Sequence, residues 1–259
     1  MIAIAVTSGK GGVGKSTVSL NLALALLERG SSVGVLDADF YGPDIPLMVN
    51  LKRTIPLKRW MLGRSLDREP LTLEPVERYG LKLMSVGFLI GEDQALAMPA
   101  QLLHGALRQL LADVEWGELD VLVIDLPPGT ADLQQQLFGI VDLGGALIVV
   151  GPQDVAHLDG RKVLDMLRSA GVRVLGGVEN MTGLVCPHCG ELVEVFPPAP
   201  EERSLWAAGV TRLGSLPLDP AVARAGDEGR PVFLSVPTGA VATAYRALAA
   251  EVADALEVA

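Results

Sequence analysis

Cysteine is nearly absent. The 259 residues contain two, Cys186 and Cys189. One C-x-x-C pair cannot build a disulfide scaffold, so metal or redox work in a reducing compartment is the expectation. Positive charge is also scarce. Lys and Arg total 21 against 31 Asp and Glu, a formal net charge of −10. That balance argues against nucleic acid and against anionic membranes as partners. No apolar run is long enough to cross a bilayer, and no basic stretch precedes an apolar leader. Internal repeats and a clear linker are missing too. These absences point to a cytoplasmic protein with one domain over 1–259. Hydrophobic residues make up 49 % of the chain, enough for a large core.

Glycine is concentrated near the start. Gly9-Lys10-Gly11-Gly12-Val13-Gly14-Lys15-Ser16-Thr17 fits the phosphate-binding pattern G-x-x-x-x-G-K-S/T. The run over 1–7 before it is apolar and β-branched, as in a buried strand. Residues 18–29 after it have helical spacing, with Gly30 as the stop. Strand, glycine loop and helix are the context this motif requires. Gly9, Gly11, Gly12 and Gly14 let backbone N–H groups of the loop, Val13 included, converge on phosphate oxygens at a helix N-terminus. Lys15 would reach the β- and γ-phosphates, and Ser16 would ligate Mg²⁺. Lys10 is a second lysine the general pattern does not ask for. It is either a solvated loop residue or a second cation aimed at phosphate.

Acids recur at strand ends. Residues 32–37 read as a strand closing on Asp37-Ala38-Asp39, where open α/β sheets bind ligands. Asp39 could position or deprotonate an attacking water and Asp37 could join the Mg²⁺ shell; capping of the turn is the equal alternative. Residues 120–125 form an apolar run closing on Asp125, the Walker B pattern, whose carboxylate would hold Mg²⁺. Leu126-Pro127-Pro128-Gly129-Thr130 then makes a stiff turn able to sense the γ-phosphate.

Further strands are expected over 81–86, 145–150, 172–179 and 211–216. Helices are expected over 100–114, 156–170 and 239–256. Residues 47–79 read as an irregular excursion with a short hairpin, and 87–99 as a loop. Asn180 falls at the end of the 172–179 strand, where its amide could read a base or simply close a turn. The alternation predicts an α/β fold with a mostly parallel sheet covered by helices on both faces.

The cysteine loop, about 184–191, contains Cys186-Pro187-His188-Cys189-Gly190. It could be a disulfide-oxidoreductase motif, half of a zinc ribbon, half of an iron–sulfur site, or two bystander thiols. A closed tetrathiolate site needs four cysteines. Two chains about a two-fold axis would supply them.

Several stretches together resemble one family. The loop with both Lys10 and Lys15 is similar to the deviant Walker A of the nitrogenase iron-protein and Min-type ATPases. Within that P-loop class, five further stretches resemble the Mrp/ApbC group of iron–sulfur cluster carrier ATPases. They are Asp37-Ala38-Asp39-Phe40-Tyr41-Gly42-Pro43, Ile124-Asp125-Leu126-Pro127-Pro128-Gly129-Thr130, Pro152-Gln153-Asp154-Val155-Ala156, Val178-Glu179-Asn180-Met181 and the cysteine loop.

The resemblance implies a homodimer that binds and slowly hydrolyses ATP. Lys10 would reach the partner's ATP across the interface. Lys15, Ser16 and Thr17 would bind phosphates and Mg²⁺, with Asp125 beside the metal. Asp39 would orient the water, and Asn180, Pro217 and Asp219 would hold adenine. Cys186 and Cys189 would bridge a 4Fe–4S cluster between subunits, for exchange with scaffold proteins and apo iron–sulfur proteins. Many members carry a small α+β domain before the loop; here none is expected. Met98-Pro99-Ala100 replaces an Arg-Gly-Pro, and Phe196-Pro197-Pro198-Ala199-Pro200 replaces a glycine-rich run. A Min/Par-type regulatory switch and a zinc-bridged, ATP-dependent dimer are the competing readings.

Overall fold

The first apolar run becomes the strand at the centre of the sheet. In the computed structural model, which describes residues 1–51, 73–89, 100–129, 132–186 and 188–257, β1 (Ile2–Thr7) is buried from Ala3 onward. Ile4 and Val6 face one core layer, and Ala3 and Ala5 the other. A strand covered on both faces has no polar side to present, which is why it reads as continuous apolar sequence.

The following elements are α1 (Lys15–Glu28), β2 (Val33–Asp37), α2 (Ile45–Met48), β3 (Val76–Arg78), β4 (Leu81–Ser85), α3 (Ala100–Ala112), β5 (Val121–Asp125), α4 (Asp132–Phe138) and β6 (Leu143–Val150). After them come α5 (Asp154–Ser169), β7 (Val174–Val185), β8 (Leu192–Val193), β9 (Arg212–Leu218), α6 (Pro220–Asp227), α7 (Val232–Ser235) and α8 (Ala240–Leu256). The strands form one sheet in the order β3-β4-β2-β5-β1-β6-β7-β8, with β9 also on β7. Pairings are parallel except β3 with β4 and β7 with β8. Helices α1, α7 and α8 cover one face, through Leu20, Leu22, Phe233 and Leu248 among others. Helices α3 and α5 cover the other, through Leu107, Leu110, Val163 and Leu167. The expected fold class is the observed one.

Boundaries differ in informative places. Helix α1 starts at Lys15 rather than at 18, because the Val18 N–H already donates to Gly14 O at 2.9 Å. The motif residues 15–17 are therefore the first helical turn. The expected strand over 172–179 continues to Val185. Its apolar composition breaks at Glu179-Asn180, yet β9 and β8 go on pairing its backbone, with Leu184 opposite both Leu218 and Val193. Asn180 is thus inside β7, not at its end. Helices α4 and α6 were not expected. For α6 the signal is present in retrospect: Asp219 accepts from the Ala221 N–H at 2.7 Å and Pro220 occupies the first turn. Of the 47–79 stretch, where a short hairpin was expected, the described part adds only β3, which pairs antiparallel with the separately expected strand β4. Residues 52–72 and 90–99, with Met98 and Pro99 among them, lie outside the described residues, as do Thr130 and Pro187.

Candidate functional site

The site sits where the chain leaves β1. Beyond the carboxyl end of that strand, Gly12 (φ 80°) and Gly14 (φ 82°) adopt the left-handed conformation that side chains disfavour. Gly9 packs so closely on the Asp159 backbone of α5 that a side chain would collide there. Gly11 is exposed, Lys10 is half-buried, and Thr17 lies in the first turn of α1.

Parallel register brings three acids to this point. Asp125 is paired with Val6 on β1 and with Asp37 on β2, so the two carboxylates stand side by side. Lys15, only 6 % exposed, places Nζ 3.0 Å from Asp125 Oδ2 and 3.3 Å from Asp39 Oδ2. Ser16 Oγ donates to Asp125 Oδ2 at 2.6 Å, and Ser19 Oγ to Asp125 Oδ1 at 2.7 Å. Ser85 Oγ donates to Asp37 Oδ2 at 2.8 Å, and the Asp39 N–H to Asp37 Oδ1. The Tyr41 N–H in turn donates to Asp39 Oδ1.

Charge dominates this cluster. Burial would lower the Lys15 ammonium, but Asp125, then Asp39 and Asp37, hold it above its ordinary value. Burial, then the adjacent Asp125 carboxylate, pushes Asp37 well above the usual carboxylate range. Burial raises Asp39 as well, against the pull of Lys15. Three carboxyl groups share one ammonium, which leaves acidic oxygen without a full counter-charge. An oxygen-rich, acid-heavy set with the Ser16 hydroxyl inside it fits Mg²⁺.

The turn after β5 is tied to the glycine loop. Gly129 N–H donates to Ser8 O at 2.8 Å. Gln134 on α4 is fully buried; its amide donates to Pro127 O and accepts from Thr7 Oγ1, the latter at 3.2 Å. On the opposite side, Asn180 Nδ2 donates to Val13 O at 2.8 Å, and its Oδ1 accepts from the Met181 N–H at 3.0 Å. Asn180 also fills the space a side chain on Gly14 would need. Pro217 lies near the end of β9, and Asp219 caps α6.

The cysteines lie apart from this cluster, at the far tip of β7. Cys186 N–H donates to Glu191 O at 2.8 Å, and Cys186 O accepts from the Gly190 N–H at 2.9 Å, closing the cysteine turn. Both thiols are free, Cys186 half-buried and Cys189 exposed. The N–H groups of His188 and then Cys189, followed by the Cys189 side chain, lower the Cys186 thiol below its ordinary value. Val185, Leu192, Val193 and Val195 surround the loop as exposed apolar side chains. Among the described residues the cysteine loop gathers no cluster of three or more His, Cys, Asp and Glu around a common point.

The structure thus brings Lys15, Ser16, Asp37, Asp39 and Asp125 together, places Asn180 against the loop, and leaves Cys186 and Cys189 on an outgrowth. Sequence reasoning missed Ser19, Ser85 and Gln134. Ser19 was findable, one helical turn after Lys15 on the same face. Ser85 stands opposite Asp37 only through the β2–β4 pairing, which the sequence does not specify. Gln134 left no signal.

Comparison with known proteins agrees with this geometry. A family model of the ParA group, described as "NUBPL iron-transfer P-loop NTPase", matches residues 2–253. The iron–sulfur cluster carrier protein of Aquifex aeolicus is 42 % identical over 98 % of this chain and 68 % of its own length. The iron–sulfur cluster transfer protein NUBPL of Mus musculus is 41 % identical over 98 % of this chain and 77 % of its own. A nucleotide-binding protein from Archaeoglobus fulgidus, solved with ADP, superposes with a TM-score of 0.71 at 36 % identity, covering 88 % of this chain and 86 % of that one. The cell-division ATPase MinD of Pyrococcus furiosus shares the fold, with a TM-score of 0.72 at 24 % identity over 98 % of both chains. The chain belongs to the NUBPL iron-transfer family of P-loop NTPases.

Proposed function

We propose that this protein binds and hydrolyses ATP as a homodimer, and that it carries iron–sulfur clusters from scaffold proteins to apo-proteins. Residues 1–259 would act as one ATPase unit, with the cysteine loop as an outgrowth of its sheet. The observation that carries this reading is the pairing, in one chain, of a complete phosphate loop with two free thiols, Cys186 half-buried and Cys189 exposed. Two thiolates do not close a cluster site; two copies supply four. The apolar rim of Val185, Leu192 and Val193 suits contact with a second copy. The lowered Cys186 thiol favours the thiolate that binds iron. The cluster is the cargo.

The nucleotide site follows from the same residues. Glycine-loop N–H groups and Lys15 would hold the phosphates, and Asn180, Pro217 and Asp219 would flank the adenine. Ser16, Asp37 and Asp125 would hold Mg²⁺, which supplies charge neutralisation at the phosphates. Lys15 would exchange its carboxylate partners for phosphate oxygens when nucleotide enters. Asp39, its proton affinity raised by burial, is suited to orient and accept a proton from the attacking water. Lys10 would act on the partner's nucleotide. A reducing compartment such as the cytoplasm suits the free thiols, and among the described residues no helix is long and apolar enough to cross a membrane.

Anaerobic reconstitution with iron and sulfide tests the reading. The expected result is an iron–sulfur chromophore at about four irons per dimer, lost in both Cys186→Ser and Cys189→Ser. Zinc in protein purified without air, with no chromophore on reconstitution, would overturn it.

A further inference from the structure

Strand β7 touches the glycine loop through Asn180 and runs directly into the cysteine turn. Its inner half is fixed. Glu179 Oε1 lies 3.1 Å from His157 Nε2, and Glu179 Oε2 lies 3.2 Å from Arg212 Nη1. His157 is itself anchored, since its Nδ1 accepts from the Leu205 N–H at 3.1 Å. The next residue, Asn180, bonds the carbonyl of Val13. The one after, Met181, has φ 63°, a left-handed conformation in a non-glycine residue in the middle of a strand. Its terminal methyl reaches the glycine loop, 3.7 Å from where a Cβ on Gly14 would lie.

The pairing with β9 slips at the same place. Asn180 is opposite Leu216 and Leu184 is opposite Leu218, so β7 advances four residues while β9 advances two. Thr182 Oγ1 closes the bulge on Leu216 O at 3.2 Å. Beyond it β7 is held to β9 at Leu184–Leu218 and to the two-residue β8 at Leu184 and Val185, and then enters the cysteine turn. A strained residue held between a fixed half-strand and a light outer half is a hinge whose angle its neighbours set. Here those neighbours are Val13 and Gly14.

We propose that the Asn180–Met181 kink transmits phosphate occupancy of the glycine loop to the position of Cys186 and Cys189. Ordering of residues 13–14 around phosphate shifts the carbonyl that Asn180 holds and the surface against which Met181 rests. The outer half of β7 turns, and the cysteine turn moves with it. Met181 is then a positioning residue for cluster exchange. This inference rests on the nucleotide binding proposed above.

The test uses the metal-free, reduced full chain. The alkylation rate of its two thiols is measured with and without Mg²⁺ and a non-hydrolysable ATP analogue, and nucleotide affinity is measured separately with a fluorescent analogue. In the parent, nucleotide should change the thiol rate by about fivefold or more, the low end of ordinary coupling between two sites. Met181→Gly, which adopts the left-handed conformation without strain and lacks the methyl contact, should bind nucleotide like the parent but lose most of that change. Met181→Leu, which keeps strain and bulk, should retain it. A parent that binds nucleotide with no change in thiol rate overturns the coupling alone, as does a Met181→Gly variant that responds like the parent. A parent that binds no nucleotide overturns the proposed function with it.

Discussion

Replacing Gln134 by Leu isolates the contact that holds the turn after β5. The side chain is fully buried and serves two buried groups, the Thr7 hydroxyl and the Pro127 carbonyl. Leucine has similar volume, so the change removes hydrogen bonds more than it opens space. Each buried polar group left without a partner costs about 1–3 kcal/mol. The two together cost about 2–6 kcal/mol, and in a chain of this size each kcal/mol lowers Tm by about 2–4 °C. A drop on the order of 10 °C is therefore expected by scanning calorimetry without nucleotide. Thr7→Val removes one orphaned donor, so the double variant Thr7→Val with Gln134→Leu should lose less than the two single losses added together. The single variant should also weaken binding of a fluorescent ATP analogue, because Pro127 and Gly129 frame the phosphate side of the site. A drop below about 2 °C, or strict additivity in the double variant, would show that the Gln134 amide does not hold this turn.

Two further outcomes follow from the charge cluster and the loop. Asp37 binds its proton more tightly folded than unfolded, so its ionisation opposes folding: its contribution is full below the ordinary carboxylate range and is lost as pH rises through its raised value. Asp37→Asn should therefore melt above the parent at about pH 8, with the gap closing towards about pH 4, while Mg²⁺-dependent nucleotide binding weakens; a lower Tm than the parent at the higher pH refutes this. Lys10→Ala should lose ATP hydrolysis, followed as phosphate release, and keep the reconstituted chromophore. Hydrolysis at the parent rate would make the glycine loop an ordinary phosphate cradle.

Much of this was legible because it is written in short range. The buried strands over 2–7 and 121–125 are continuous apolar runs, and the glycine loop between strand and helix has a fixed spacing. Asp37 and Asp125 were readable as strand ends. Their side-by-side placement was not, since it depends on β2 and β5 pairing in register across more than eighty residues. The same limit hid Gln134, whose partner Thr7 is 127 positions away. The extension of β7 escaped for a different reason. Residues 180–185 are held by backbone pairing to β8 and β9, and a strand kept by its neighbours' backbones need not carry an apolar pattern. Asn180 was expected either to read a base or to close a turn; the structure places its amide on the Val13 carbonyl, an engagement no spacing rule specifies.

The central position of β1 has a consequence for synthesis. Its two neighbours are β5 and β6, and their pairing residues run from Val121 to Ile148. At about 5–20 residues per second, a ribosome takes on the order of ten seconds to make that intervening length. Throughout that time β1 has neither edge satisfied, and the glycine loop has no Asp125 against which Lys15 and Ser16 can settle. The nascent chain therefore carries an apolar, unpaired strand as an early product, a natural client for chaperones that hold extended segments. Nucleotide cannot shorten the wait, because the pocket that would recognise it does not exist until β5 has been made.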